Sequence, residues 1–205
     1  MALSFETLDD LAAHIGDCHR CPLGDTRTHL VFGVGDPEAS LMFIGEAPGR
    51  NEDLRGEPFV GAAGVLLDEL LASIGMTRSQ AYIANILKCR PPQNRDPLPL
   101  EIETCTPFLR DQVRLIRPQV LVTLGNYATR FVLKTEMGIT RIRGVATRAG
   151  AYTVLPIFHP AAALYDRTKR DVLFEDFAQI GSLLAGQPAV AVAGPDALTF
   201  FGERS

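Results

Sequence analysis

Four short, nearly unbroken apolar runs recur along this chain, LMFIG at 41–45, AYIAN at 81–85, QVLVTL at 119–124 and TVLPIF at 153–158, with stretches of helical length between them. Runs of this kind read as strands buried on both faces, and their alternation with helices calls for right-handed crossovers into a parallel sheet. Helices are expected at 61–74, 99–116, 125–134 and 169–185, with another over 6–17, where Leu8, Leu11, Ala12 and Ile15 keep helical spacing. The expected fold class is therefore α/β, a three-layer α/β/α sandwich around a central four-stranded parallel sheet. A chain of 205 residues builds such a core as one domain, here 1–185, without disulfide staples. Over 186–205 the periodicity stops and Gly186, Pro188, Gly194 and Pro195 interrupt the chain, so a loosely ordered tail is expected there.

Each strand ends in something polar. Glu46 follows the first, Asn85 closes the second, Gly125 and Asn126 follow the third, and His159 and Pro160 follow the fourth. Parallel α/β sheets bind ligands at the carboxyl ends of their strands, so these groups gather on the edge where a site would lie. A lone His or Asn there is as ordinary as a helix cap; the convergence of several is what points to a site. The stretch Leu41–Gly64 is the richest of these ends. Pro48 and Gly49 turn the chain, Glu52 and Asp53 follow, and Phe59 sits after Pro58 between Gly56 and Gly61 with no periodic apolar face to join. An aromatic so placed is either ordinary packing or a platform for a flat ligand.

Net charge is −4, which by itself argues weakly against a nucleic-acid partner. Its distribution argues the other way: between Ile139 and Arg170 stand Arg141, Arg143, Arg148, Arg167, Lys169 and Arg170 against Asp166 alone. Such a run is a solvated face unless a site lies beside it. The N-terminal helix is acidic and no run approaches a membrane span, so a cytoplasmic protein with no membrane partner is expected.

Cys18 and Cys21 form C-x-x-C, Cys89 lies just after the second strand, and Cys105 completes the set of four. In a reducing compartment such a set reads as metal ligands before it reads as disulfides. Four sulfurs suit tetrahedral zinc or an iron-sulfur cubane, and spacing does not choose between them. A thioredoxin-like role needs the C-x-x-C to open a helix after a strand, and here it follows a helix. Serine hydrolase, P-loop and zinc deaminase chemistries lack their motifs, and neither GVGDPEAS nor GEAPG is a G-x-G-x-x-G.

GEAPGRNEDLRGEPFVGAAG, AYIANILKCRPPQNRDPLP, the HP at 159–160 and the four cysteines together resemble the iron-sulfur branch, family 4, of the uracil-DNA glycosylase superfamily. The resemblance runs from residue 18 to about 180 in the family's order and spacing. It implies a [4Fe-4S] cluster on Cys18, Cys21, Cys89 and Cys105 and hydrolysis of the N-glycosidic bond of deoxyuridine in DNA. It also implies roles: Glu46 and Glu52 hold the attacking water with the backbone of Ala47, and Gly45 lies with Ala47 at the substrate. Phe59 stacks on uracil, Asn85 reads its edge and His159 faces its O2. The family often has Gly at Ala47, an acid at Asn51 and Tyr-Leu-Leu-Arg where this chain has Ala162-Ala163-Leu164-Tyr165. Leu164 and Tyr165 are thus both candidates for the wedge into the duplex, with Arg167, Lys169 and Arg170 on its backbone. The expected partner is uracil-containing DNA, single- or double-stranded, met by a monomer, with a sliding clamp or another repair protein as the further partner to seek. A non-enzymatic or covalently trapping uracil-DNA-binding module is the alternative. The trapping branch carries a His in an Arg/Lys-rich insertion after the second strand, and the short RPPQNRDPLP loop has none.

Overall fold

The computed structural model describes residues 5–192. Its centre is the expected set of parallel strands, β2 (Leu41–Gly45), β3 (Tyr82–Asn85), β4 (Val120–Leu124) and β6 (Tyr152–Ile157), in the order β3-β2-β4-β6. Every residue of β2, β3 and β4 is buried, as strands covered on both faces must be. The period of two divides them between layers. Met42, Ile44, Ala84, Leu121 and Val154 pack with α1 (Leu8–Ile15), α4 (Pro99–Ile116) and α5 (Gly125–Leu133). Leu41, Phe43, Ile83, Val122 and Leu155 pack with α3 (Ala62–Ser73) and α7 (Arg167–Leu184), where the Phe43 and Phe177 rings stack at 5.7 Å. These are the three layers the sequence implies.

The sheet is wider than four strands. Short edge strands extend it to seven in the order β1-β3-β2-β4-β6-β5-β7: β1 (Val34–Gly35) lies antiparallel to β3, β5 (Thr147–Ala149) antiparallel to β6, and β7 (Ala191–Val192) parallel to β5. Strands of two or three residues leave no periodic signature, so the sequence does not announce them. Pro156 sits in β6 without harm because β5 pairs only as far as Val154, and the Pro156 carbonyl still accepts from the Gly144 N–H at 2.8 Å. Two short helices were also unexpected, α2 (Arg50–Arg55) and α6 (Ile139–Ile142). Of the segment expected as a tail, residues 191–192 join the sheet, and 193–205 lie outside the described residues.

Pairing of β2 with β3 continues past their ends. Gly45 stands opposite Asn85, the Ile86 N–H donates to the Gly45 carbonyl and the Leu87 N–H to that of Glu46, both at 3.0 Å. Glu46 and Asn85 therefore leave the sheet from a rigid edge. Among the described residues no helix is long and apolar enough to cross a membrane.

Candidate active site

Glu46, Ala47, Glu52, Phe59, Asn85 and His159 line one cavity of about 420 Å³ at the carboxyl edge of the sheet. Residues from four separate segments meet there because the strands end on one side, as the order of elements requires. Gly45 ends β2 beside it. A Cβ at this position would stand 2.3 Å from Asn85 Oδ1 and 3.1 Å from the Phe59 ring, so only glycine lets both side chains close over the strand end.

Asn85 is 2% exposed, yet its side-chain amide has no hydrogen-bond partner among the described residues. A buried amide left open is costly unless a ligand completes it, which marks Asn85 as a candidate ligand contact.

Phe59 has φ 54, a left-handed backbone that non-glycine residues adopt at a cost of about 1–3 kcal/mol. Two contacts enforce it. Arg78, paired with Asp68, donates from Nη2 to the Phe59 carbonyl at 2.8 Å, and Gly64 passes so close that a Cβ there would lie 1.7 Å from that carbonyl oxygen. The ring so fixed stacks on His159 with centroids 5.5 Å apart. Gly64→Ala should cost about 1–3 kcal/mol of stability in denaturant melts, as overpacking does; an unchanged midpoint would mean that the Phe59 turn moves freely.

His159 caps the 3-10 turn Pro160–Ala163, and its Nδ1 accepts from the Ala161 N–H at 3.1 Å. That bond places the proton of a neutral ring on Nε2. Burial pushes the His159 pKa down to about 4, against the pull of Glu52, so the ring is a neutral Nε2–H donor at physiological pH. Glu46 is displaced the other way: burial, and then the charge of Asp96, hold its carboxyl above the usual carboxylate range. Glu52 is partly committed to the fold, since its Oε1 accepts from the N–H groups of Val60 and Gly61 at 3.1 and 3.2 Å and so ties α2 to the Phe59 turn. Asp53 is wholly structural, buried and accepting from the Thr28 N–H and hydroxyl at 2.8 and 2.9 Å.

The far wall belongs to the 90–98 loop through Pro91, Asn94 and Arg95. The Arg95 guanidinium grips buried Glu101 with both nitrogens, at 2.9 and 2.5 Å, and Gln93 and Asn94 turn the chain with φ 57 and 55. Pro91 and Asn94 were not singled out from sequence. The available signal was that the loop leaves the same strand end as Asn85.

The four cysteines meet as well. Cys18, Cys21, Cys89 and Cys105 line one small cavity between the N-terminal segment and α4, and all are free thiols. N–H donors surround them: Lys88 donates from its backbone to Cys105 Sγ at 3.3 Å, Arg27 Nη1 to Cys89 Sγ at 3.7 Å and Arg20 Nη1 to Cys18 Sγ at 3.6 Å. Burial pushes Cys89 up to about 12 and Cys105 up to about 11, so without a cation neither is a thiolate. Among the described residues, no three His, Cys, Asp or Glu close to the spacing that one ion needs.

A family model described as the uracil DNA glycosylase superfamily matches residues 32–180. The chain belongs to the uracil-DNA glycosylase superfamily. Within it the likeness is to type-4 members. The chain is 47% identical over 186 residues to the type-4 uracil-DNA glycosylase of Archaeoglobus fulgidus, covering 87% of this chain and 94% of that one. It is 43% identical to that of Sulfurisphaera tokodaii over 87% and 85% of the two chains, and 42% identical to that of Saccharolobus solfataricus over 89% of each.

The segment carrying the basic run is less uniform than its sequence. Leu164 and Tyr165 stand out at the turn before α7, 38% and 95% exposed. Arg167 is exposed and has no ion pair among the described residues, whereas Lys169 pairs with Asp166 at 3.0 Å and Arg170 pairs with Glu69. Arg143 is spent on buried Asp176 at 2.6 Å. Arg148 pairs with Thr153 in the sheet, six residues before His159. At about 3.3 Å per residue it lies roughly 20 Å from the site, at the wrong end of the strand.

Proposed function

We propose that this chain is a DNA repair glycosylase that hydrolyses the N-glycosidic bond of deoxyuridine in DNA, releasing uracil and leaving an abasic site. The observation that carries it is the open amide of Asn85, set in one cavity with an aromatic ring, a neutral imidazole and a carboxylate of raised pKa. A base inside a duplex is out of reach, so uracil is flipped into the cavity, and stacking on Phe59 offsets the few kcal/mol of unstacking. The Asn85 amide accepts from uracil N3–H and donates to O4, a pattern that cytosine inverts. As the glycosidic bond stretches, negative charge grows on uracil O2 and positive charge on the sugar. His159 donates to the first from Nε2 without giving up its proton. Glu46 stabilises the second and, with the free oxygen of Glu52 and the backbone of Ala47, orients the water. Each charged or dipolar contact of this kind lowers the barrier by about 3–4 kcal/mol. Incubation with uracil-bearing single- and double-stranded oligonucleotides tests the reading: free uracil and alkali-labile sites are expected, and intact strands would overturn it.

Cys18, Cys21, Cys89 and Cys105 would hold a [4Fe-4S] cluster. What supports it is that the four thiols line one small cavity, a donor set that suits a cubane, and the resemblance to the iron-sulfur branch of the family. The ring of N–H donors suits its charge. Hydrolysis needs no electron, so the cluster would serve as a staple between the N-terminal segment and the 90–104 loop. A cytoplasmic location fits both the reduced thiols and the DNA substrate.

Leu164 or Tyr165 would enter the space left by the flipped base, with Arg167 on the flanking phosphates. Arg167→Ala should weaken uracil-bearing and plain DNA alike and make log K less steep in log[salt] by about one unit, since a phosphate contact positions without reading sequence. An unchanged slope with altered excision would move Arg167 into the pocket.

A further inference from the structure

Between the base cavity and the cysteines lies a side chain that neither site accounts for. Lys88 is 1% exposed, and no carboxylate pairs with it among the described residues. Its ammonium donates to the Asn85 carbonyl at 2.8 Å and to Gln112 Oε1 at 2.6 Å. Gln112, fully buried, is itself held by donating to the Phe32 carbonyl at 2.9 Å and the Tyr82 hydroxyl at 3.3 Å. The other end of Lys88 touches the cysteine centre, through its backbone N–H on Cys105 Sγ at 3.3 Å, and the residue lines the cysteine cavity.

Burying a lysine without a counter-ion is expensive, and a methionine of similar length would fill this space at lower cost. What methionine lacks is the N–H that fixes the peptide after Asn85. That peptide matters because the Asn85 amide has no partner of its own to aim it, and a base edge is read only when both hydrogen bonds fall within a few tenths of an ångström. The strand below supplies one constraint, through Gly45 and Ile86. Lys88 supplies the other, from the α4 side.

We propose that Lys88 is a positioning residue for base reading, a strut that holds Asn85 in register against the cysteine centre and α4. This rests on Asn85 being the uracil reader. The test is Lys88→Met in the full chain, with free uracil as the probe. Inhibition of excision by free uracil should weaken about tenfold or more, as when a charged hydrogen bond is lost, and KM for uracil-bearing DNA should rise with it. Affinity for plain duplex, which does not use Asn85, and metal content per chain should stay at the wild-type level. A merely structural lysine would lower Tm without moving the uracil inhibition constant, and that result overturns the proposal. Should Lys88→Met fail to fold or lose its metal, Gln112→Met decides, because it keeps the ammonium and removes its second acceptor, along with the Gln112 bonds to Phe32 and Tyr82, which do not reach Asn85. Several-fold weaker inhibition supports the strut, and unchanged inhibition rejects it. A wild-type chain that excises uracil but is not inhibited by it would overturn the base-reading role of Asn85 and the strut together.

Discussion

Glu46→Gln should lower single-turnover uracil excision by about 10²–10³-fold while leaving affinity for uracil-bearing DNA largely unchanged. The substitution keeps the shape of the side chain and removes only its charge, at the place where positive charge grows on the sugar. Burial and the neighbouring Asp96 make that charge costly in the free protein, and the carboxyl pKa is raised accordingly. The same displacement predicts the pH profile. Excision needs the carboxylate, so the rate falls as pH drops through the raised Glu46 value, above the range where an ordinary carboxyl titrates. His159, pushed down to about 4, stays neutral through that window and contributes no limb there. The acid limb should therefore vanish in Glu46→Gln, leaving a low, flat rate. A limb that persists would belong to a group other than Glu46. A variant with full activity would make the chain a binder whose carboxylate is incidental, and the glycosylase reading would fall with it.

Much of the fold was legible because the four central strands are buried on both faces and each ends in a turn. An unbroken apolar run bounded by polar residues has few other readings, and the order of runs and helices dictates which ends share an edge. Glu46, Asn85 and His159 could be placed together on that ground alone. Phe59 could not: its position depends on a left-handed backbone enforced by Arg78 and Gly64, and nothing in its immediate neighbours announces either contact. The resemblance to the family supplied its role. The basic segment shows the opposite case. Six cations look alike in sequence, but ion pairs spend Lys169, Arg170 and Arg143, and strand register carries Arg148 away from the site. Such long-range pairings, like the bridge from Lys88 to Gln112, connect residues whose spacing has no period to detect. Edge strands of two residues escape for a related reason, being defined only by the partner they meet.

Loss of one cysteine should have the largest effect on stability. Cys105 stands on α4, Cys89 stands four residues beyond Asn85, and Cys18 and Cys21 stand on the segment after α1, so a bound metal centre would cross-link three parts of the chain. Apart from such a centre, the N-terminal part is held by Leu11, Ile15 and Leu23 in the core and, at its far end, by the Thr28 bonds to Asp53 and the Val31 N–H on the Lys88 carbonyl. Structural metal sites contribute on the order of 10 kcal/mol, comparable to the whole stability of a domain. Cys105→Ala should therefore abolish broad visible absorption, lower Tm sharply and expose residues 16–31 to proteolysis before the central sheet opens. Excision should fall too, because the 90–98 loop that carries Pro91, Asn94 and Arg95 into the cavity runs between Cys89 and Cys105. The Arg95–Glu101 pair gives that loop one anchor independent of metal, so a residual rate is expected rather than none. A colourless wild-type protein carrying one zinc per chain would replace the cluster by a single ion and keep the staple. A Cys105→Ala protein with unchanged Tm and unchanged proteolysis would remove the staple itself and leave four free thiols that happen to share a cavity.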